Sequence, residues 1–133
     1  MRGAAAAAGM VSAAILFAPG CGGGADNKAG ASDPVRRASF RSLAARDFLV
    51  TCAGGPARAE TRRQLERMDE LNRFAFEKGA MISLQLAAND WAGLSRHDTR
   101  GRCPPGEAAY TAALTDFSAR LDQFAASIGA YRQ

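Results

Sequence analysis

Histidine and tryptophan occur once each in this 133-residue chain, at His97 and Trp91, and lysine occurs only at Lys28 and Lys78. A single histidine cannot build a histidine-rich metal site. The cysteines show no C-x-x-C spacing, which excludes zinc-ribbon, c-type haem and thioredoxin-like motifs. No glycine-rich phosphate loop follows a strand pattern, and no local signal picks out a carboxylate pair for glycoside hydrolysis. Ser95-Arg96-His97-Asp98 contains the residue types of a hydrolase triad. Neighbours in sequence point apart rather than converge, so they do not form one. No catalytic residue, metal or cofactor is therefore expected, and His97 is expected in a solvated loop. The net charge of +4 is almost all arginine and is spread along the chain. That is too dilute for a nucleic-acid partner. No run reaches the roughly twenty apolar residues of a spanning helix. With 47% hydrophobic and 23% charged residues, a disordered polyelectrolyte is excluded as well.

What is present begins with an address. Arg2 supplies a positive start, and Ala4 to Ala18 follows without a charge. That is the length of a signal-peptide apolar region. The run breaks at Ala18-Pro19-Gly20-Cys21, followed by Gly22-Gly23-Gly24. A small residue before a cysteine at the end of an apolar run resembles the lipobox of bacterial lipoprotein precursors. Ala18 stands where that family usually carries a larger aliphatic residue. The resemblance implies cleavage after residue 20, diacylation of the Cys21 thiol and anchoring to a membrane. The other reading is an ordinary secretory signal cut near Gly23-Gly24-Ala25, which exports a soluble protein. Residues 1–20 are thus expected to be a signal peptide. Residues 21–33, rich in glycine and alanine, are expected to be a lipidated cysteine and a flexible tether.

Residues 34–133 read as an all-α domain, a small up-down-up-down bundle with three long helices and a shorter one. Asp33-Pro34 has the pattern of an N-cap followed by proline at the first helical position. Phe40, Leu43, Ala44 and Phe48 then suggest the apolar face of a helix over 34–51, stopped by Gly54-Gly55-Pro56. A second helix is expected over 58–78, with Leu65, Met68, Leu71 and Ala75 inward. Its polar face pairs Arg62 with Glu66, Asp69 with Arg73 and Arg73 with Glu77. Gly79 supplies its left-handed cap. A third helix over 81–95 places Leu84, Ala88, Trp91 and Leu94 on one face. Its competitor is a strand in which Ile82, Leu84 and Leu86 alternate, but Gln85, Ala87 and Ala88 favour helix and no partner strand is visible. The last helix, over 106–131, carries a seam of Tyr110, Leu114, Phe117, Leu121, Phe124, Ile128 and Tyr131 at spacings of four and three. Such a seam can serve dimerisation, but in a domain this small it is expected to line the domain's own core, giving a monomer or weak dimer.

Cysteine arithmetic follows from export. With Cys21 acylated, Cys52 and Cys103 remain, and an even remainder in an oxidising compartment reads as a disulfide. In the alternating bundle the first helix ends at Cys52, the second descends to Gly79 and the third rises to about Ser95. Cys103 then returns to the end that holds Cys52. An unbroken second helix running to Ala88 would instead leave Cys103 roughly 45 Å away. The connecting loop could then return only by running fully extended, so the bridge and the break at Gly79 support each other. On the chain-entropy model a loop of this length stabilises by about 4 kcal/mol.

Two segments carry functional expectations. Asn89 to Arg102 holds Trp91, His97, Arg96, Arg100 and Arg102, and ends at the bridging Cys103. An aromatic beside guanidinium groups suits an anionic or glycan ligand or a protein partner; the bland reading makes Trp91 core and the arginines solvated. Arg36, Arg37, Arg41 and Arg46, just after the tether, suit anionic lipid head groups if Cys21 is anchored. As an ordinary solvated face they would do nothing of the kind. The leading expectation is a small non-enzymatic envelope lipoprotein facing the periplasm, held to the membrane through Cys21 and meeting an envelope protein or glycan. The alternatives are a periplasmic ligand-binding module or minor enzyme using Trp91 to Arg102, and a secreted inhibitor-like protein.

Overall fold

The structure is a computed structural model that describes residues 33–96 and 102–132. The signal run, Cys21, the tether up to residue 32, His97 and Arg100 lie outside the described residues, and for Arg96 only the backbone is described. Among the described residues four helices follow in order: α1 (Pro34–Val50), α2 (Ala59–Glu77), α3 (Met81–Arg96) and α4 (Glu107–Gly129), with a 3-10 turn at Gly55–Ala57 between the first two. These bounds agree with the expected ones to within two residues, and 81–96 is helix rather than strand. The fold is an all-α bundle closed by a disulfide.

Local chemistry explains each boundary. The Asp33 carboxylate accepts from the Arg36 backbone N–H at 2.9 Å, an N-cap, with Pro34 in the first turn where its missing N–H costs nothing. Beyond α1 the chain folds back so closely that a Cβ on Gly55 would lie 2.7 Å from the Leu49 carbonyl oxygen. Glycine is the residue that fits there. At the end of α2, Gly79 takes φ 92°, and the Ala80 N–H donates to the Ala75 carbonyl at 2.9 Å. This is the left-handed cap expected from Glu77-Lys78-Gly79.

Hydrogen bonds between the ends fix the directions. Asp33 Oδ2 accepts from the Ser83 hydroxyl at 2.9 Å, so α1 and α3 start together and run parallel. Thr61 and Tyr110 share a hydrogen bond of 2.8 Å, and the Tyr131 hydroxyl donates to Gly79 O at 3.3 Å, so α2 and α4 run parallel the other way. Up, down, up, down is thus the observed order. α1 lies between α3 and α4 and packs mainly on those two, while α2 packs mainly on α4 and meets α1 only at the edge.

The core gathers around α4. Tyr110, Phe117, Leu121, Phe124 and Ile128 are buried, as is Ala113 beside them, with Leu114 and Tyr131 packed on the margin. The heptad seam lines the domain's own interior. Met68 and Ala75 of α2 are buried, and Leu65 and Leu71 pack against the core from its margin. Two expected faces are displaced. In α1 the buried stripe is Val35, Ala38, Ser39, Ser42, Ala45 and Leu49, whereas Phe40, Leu43, Ala44 and Phe48 are only half-buried. Small residues fill the line of closest approach, where the Ser42 hydroxyl reaches the Arg120 carbonyl at 3.4 Å. The large side chains spread to the flanks. In α3 the inward residues are Ser83 and Ala87, with Leu84 and Trp91 half-buried, while Ala88 and Leu94 are exposed. Again the small face is inward.

The ion pairs expected along α2 do not form. Among the described residues Arg62–Glu66, Asp69–Arg73 and Arg73–Glu77 are not paired, and Arg62 donates instead to the Ala57 carbonyl. The cations that do pair on this side reach across to α4: Arg58 to Glu107 and Arg67 to Asp122. An exposed pair along one helix contributes only a few tenths of a kcal/mol, too little to hold two long side chains in one geometry.

Candidate functional site

The two ends of the bundle differ in chemistry. At the end where α1 stops and α4 begins, Cys52 and Cys103 form a disulfide with their Cα atoms 4.8 Å apart. Thr51 reinforces it. Its hydroxyl donates to Phe48 O at 2.7 Å and accepts from the Cys103 N–H at 3.1 Å. Alongside, Arg58 donates to both oxygens of Glu107, at 2.9 and 2.6 Å, and its guanidinium lies 3.7 Å from the centre of the Tyr110 ring. Hydrogen bonding to Arg58 holds the Glu107 carboxyl below the usual carboxylate range, and the same contact raises Arg58. The Tyr110 hydroxyl is occupied by Thr61. Thr51, Arg58, Thr61, Glu107 and Tyr110 are thus engaged in joining α1, α2 and α4 at this end.

Trp91 is not on a loop. It sits within α3, half-buried, its indole N–H donating to Asp47 Oδ2 at 2.7 Å and its ring edge-on to Phe40 at 6.0 Å. Asp47 also accepts from Arg46 Nε and Nη2 through Oδ1. The indole therefore links α3 to α1. Arg102 is exposed beside the bridge. His97 and Arg100 lie outside the described residues.

The arginines following the tether separate into different roles. Arg36 donates from Nε and Nη2 to the two oxygens of Asp90, at 2.8 and 2.9 Å. It thereby ties the first turn of α1 to α3. Hydrogen bonding to Arg36 lowers the Asp90 carboxyl below its ordinary value, against the opposing effect of burial. Arg46 is turned to Asp47, while Arg37 and Arg41 are exposed on the first half of α1.

The opposite end, at the α2–α3 turn, carries what periodicity missed. Phe76 and Ile82 are 57% and 67% exposed, and Phe74 and Met81 are 40% and 44% exposed. All four lie within nine residues of chain around the Gly79 cap. Phe74 and Phe76 fall off the Leu65–Ala75 stripe, and Ile82 opens the alternating run that competed as a strand. Both are readable in retrospect as apolar residues without a place in the seam.

Among the described residues no helix is long and apolar enough to cross a membrane, and no group of three or more His, Cys, Asp or Glu is placed to hold a metal ion. Compared with protein-family models, curated proteins and solved structures, the chain matches none. The functional reading rests on its own chemistry.

Proposed function

We propose that this is a small non-enzymatic envelope lipoprotein, anchored through an acylated Cys21 and displaying its helical domain to an envelope protein or glycan. The observation that carries the reading is the pairing of Cys52 with Cys103. It takes two of the three cysteines and leaves Cys21, at the lipobox-like break, as the remaining thiol. A disulfide between residues 51 apart also fits an oxidising compartment. A thin core of this size benefits from such a staple. Two acyl chains, each buried methylene contributing about 0.8 kcal/mol, make the anchor stable where a single chain is marginal.

Mass spectrometry of the mature protein tests it. The expected species begins at Cys21 and carries a diacylglyceryl adduct. An unmodified chain starting near Asp26 overturns the lipoprotein reading in favour of a secreted one. Crosslinking in intact cells then identifies the partner.

A further inference from the structure

We propose that the exposed apolar tip at the α2–α3 turn seats on the surface of an anionic lipid bilayer, so that the domain lies against the membrane through a protein contact in addition to its anchor. This inference builds on the lipoprotein reading for its geometry, although the contact itself needs only a bilayer within reach.

Three observations meet at this end. The first is that four large apolar side chains, Phe74, Phe76, Met81 and Ile82, are all exposed within nine residues of chain around one turn. Tertiary packing puts them there: α3 turns Ser83 and Ala87 inward, which sends Ile82 and the half-turned Leu86, one helical turn further on, outward. The second is where the chain enters the domain. Asp33, the first described residue, is bonded to Ser83, two residues beyond Met81. The segment that leads back to Cys21 therefore leaves from beside the apolar tip, not from the disulfide end. Fully extended, the eleven residues between Cys21 and Asp33 span at most about 40 Å, so an anchored Cys21 keeps this end of the domain within reach of a bilayer. The third is charge. Arg37, Arg73, Lys78 and Arg132 lie on the turns and termini of this end, against Asp33 and Glu77. The balance is cationic and suits phosphate head groups around inserted apolar side chains. Lys78 holds its ammonium 6.0 Å from the centre of the Phe74 ring, so apolar and cationic groups are already adjacent.

The test is photolabelling of the full chain from within the bilayer, using a diazirine-bearing phospholipid in vesicles of phosphatidylglycerol and phosphatidylethanolamine, followed by tryptic mapping. Cuts after Arg73 and Lys78 isolate the tip in the peptides beginning at Phe74 and Gly79. Those peptides are expected to carry label several-fold above the peptides around Gly55–Arg58 and Arg102–Gly106. Phe76→Ser combined with Ile82→Ser, both at exposed sites, is expected to remove that excess with helicity unchanged. Label confined to the Cys21 peptide, with the acyl mass present, overturns the docking contact and leaves the anchor standing. Labelled tip peptides without an acyl mass sustain the contact and overturn the anchor. An unlabelled tip together with a dimer in sedimentation that the double variant dissolves assigns the patch to a second copy of the chain and overturns the bilayer.

Discussion

Asp90 and Arg36 show how one pair of side chains makes stability depend on pH. Hydrogen bonding to Arg36 holds the Asp90 carboxyl below its ordinary value of about 3.9. Between the two values the unfolded chain binds the proton and the folded one does not. The contribution is thus present above about pH 4 and is lost as pH falls through the lower, folded value. Glu107, lowered by hydrogen bonding to Arg58, acts in the same direction. Because Asp90 keeps 36% of its side-chain surface in water, screening limits the pair to roughly 0.2–1 kcal/mol. In thermal melts Asp90→Asn is expected to lower Tm modestly at neutral pH, with the deficit closing in acid. A deficit that stayed constant down to about pH 2 would assign the effect to packing instead of charge. Among the described residues, the buried Oε1 of Gln64 has no hydrogen-bond partner. Nothing in the structure accounts for it.

Helices pack here by small residues. Ser42 is completely buried against α4, and Ala38, Ser39 and Ala45 continue the same line. Phe40 and Phe48, which look more hydrophobic in sequence, stay half-exposed on the flanks. Ser42→Leu raises local hydrophobicity yet has no space to occupy, and overpacking of this kind costs about 1–3 kcal/mol. Urea unfolding is expected to show a lowered midpoint with an unchanged slope. A variant as stable as the parent would mean that α1 and α4 can part without penalty. The same logic applies to α3, whose inward face is Ser83 and Ala87, with Leu84 and Trp91 half-buried and Ile82, Leu86 and Leu94 exposed. Amphipathic reading assumes that the bulkiest side chains mark the inside. It succeeds for α4, where Phe117, Leu121 and Phe124 are fully buried, and it fails for α1 and α3, where serines and alanines hold most of the buried positions.

For the domain as a whole the Cys52–Cys103 bridge joins the end of α1 to the approach to α4, which are the two helices with the most extensive mutual contact. It closes a loop containing α2 and α3 in the unfolded chain. Replacing both cysteines by alanine is expected to lower unfolding free energy by roughly 2–4 kcal/mol, a large part of the 5–15 kcal/mol typical of a domain. Chemical denaturation under non-reducing conditions measures it. A change below about 0.5 kcal/mol would show that the unfolded chain is already restrained without the bridge. The four helices, their caps at Asp33 and Gly79, the alternating directions and the pairing of the cysteines were all legible before any coordinates. Each depends on local backbone preference, on a period within one segment or on chain length between two points. Arg36 with Asp90, Trp91 with Asp47, Arg58 with Glu107 and the exposed tip at Phe76 and Ile82 were not legible. They depend on which faces of different helices meet, and that is decided by the closeness with which small side chains allow two backbones to approach.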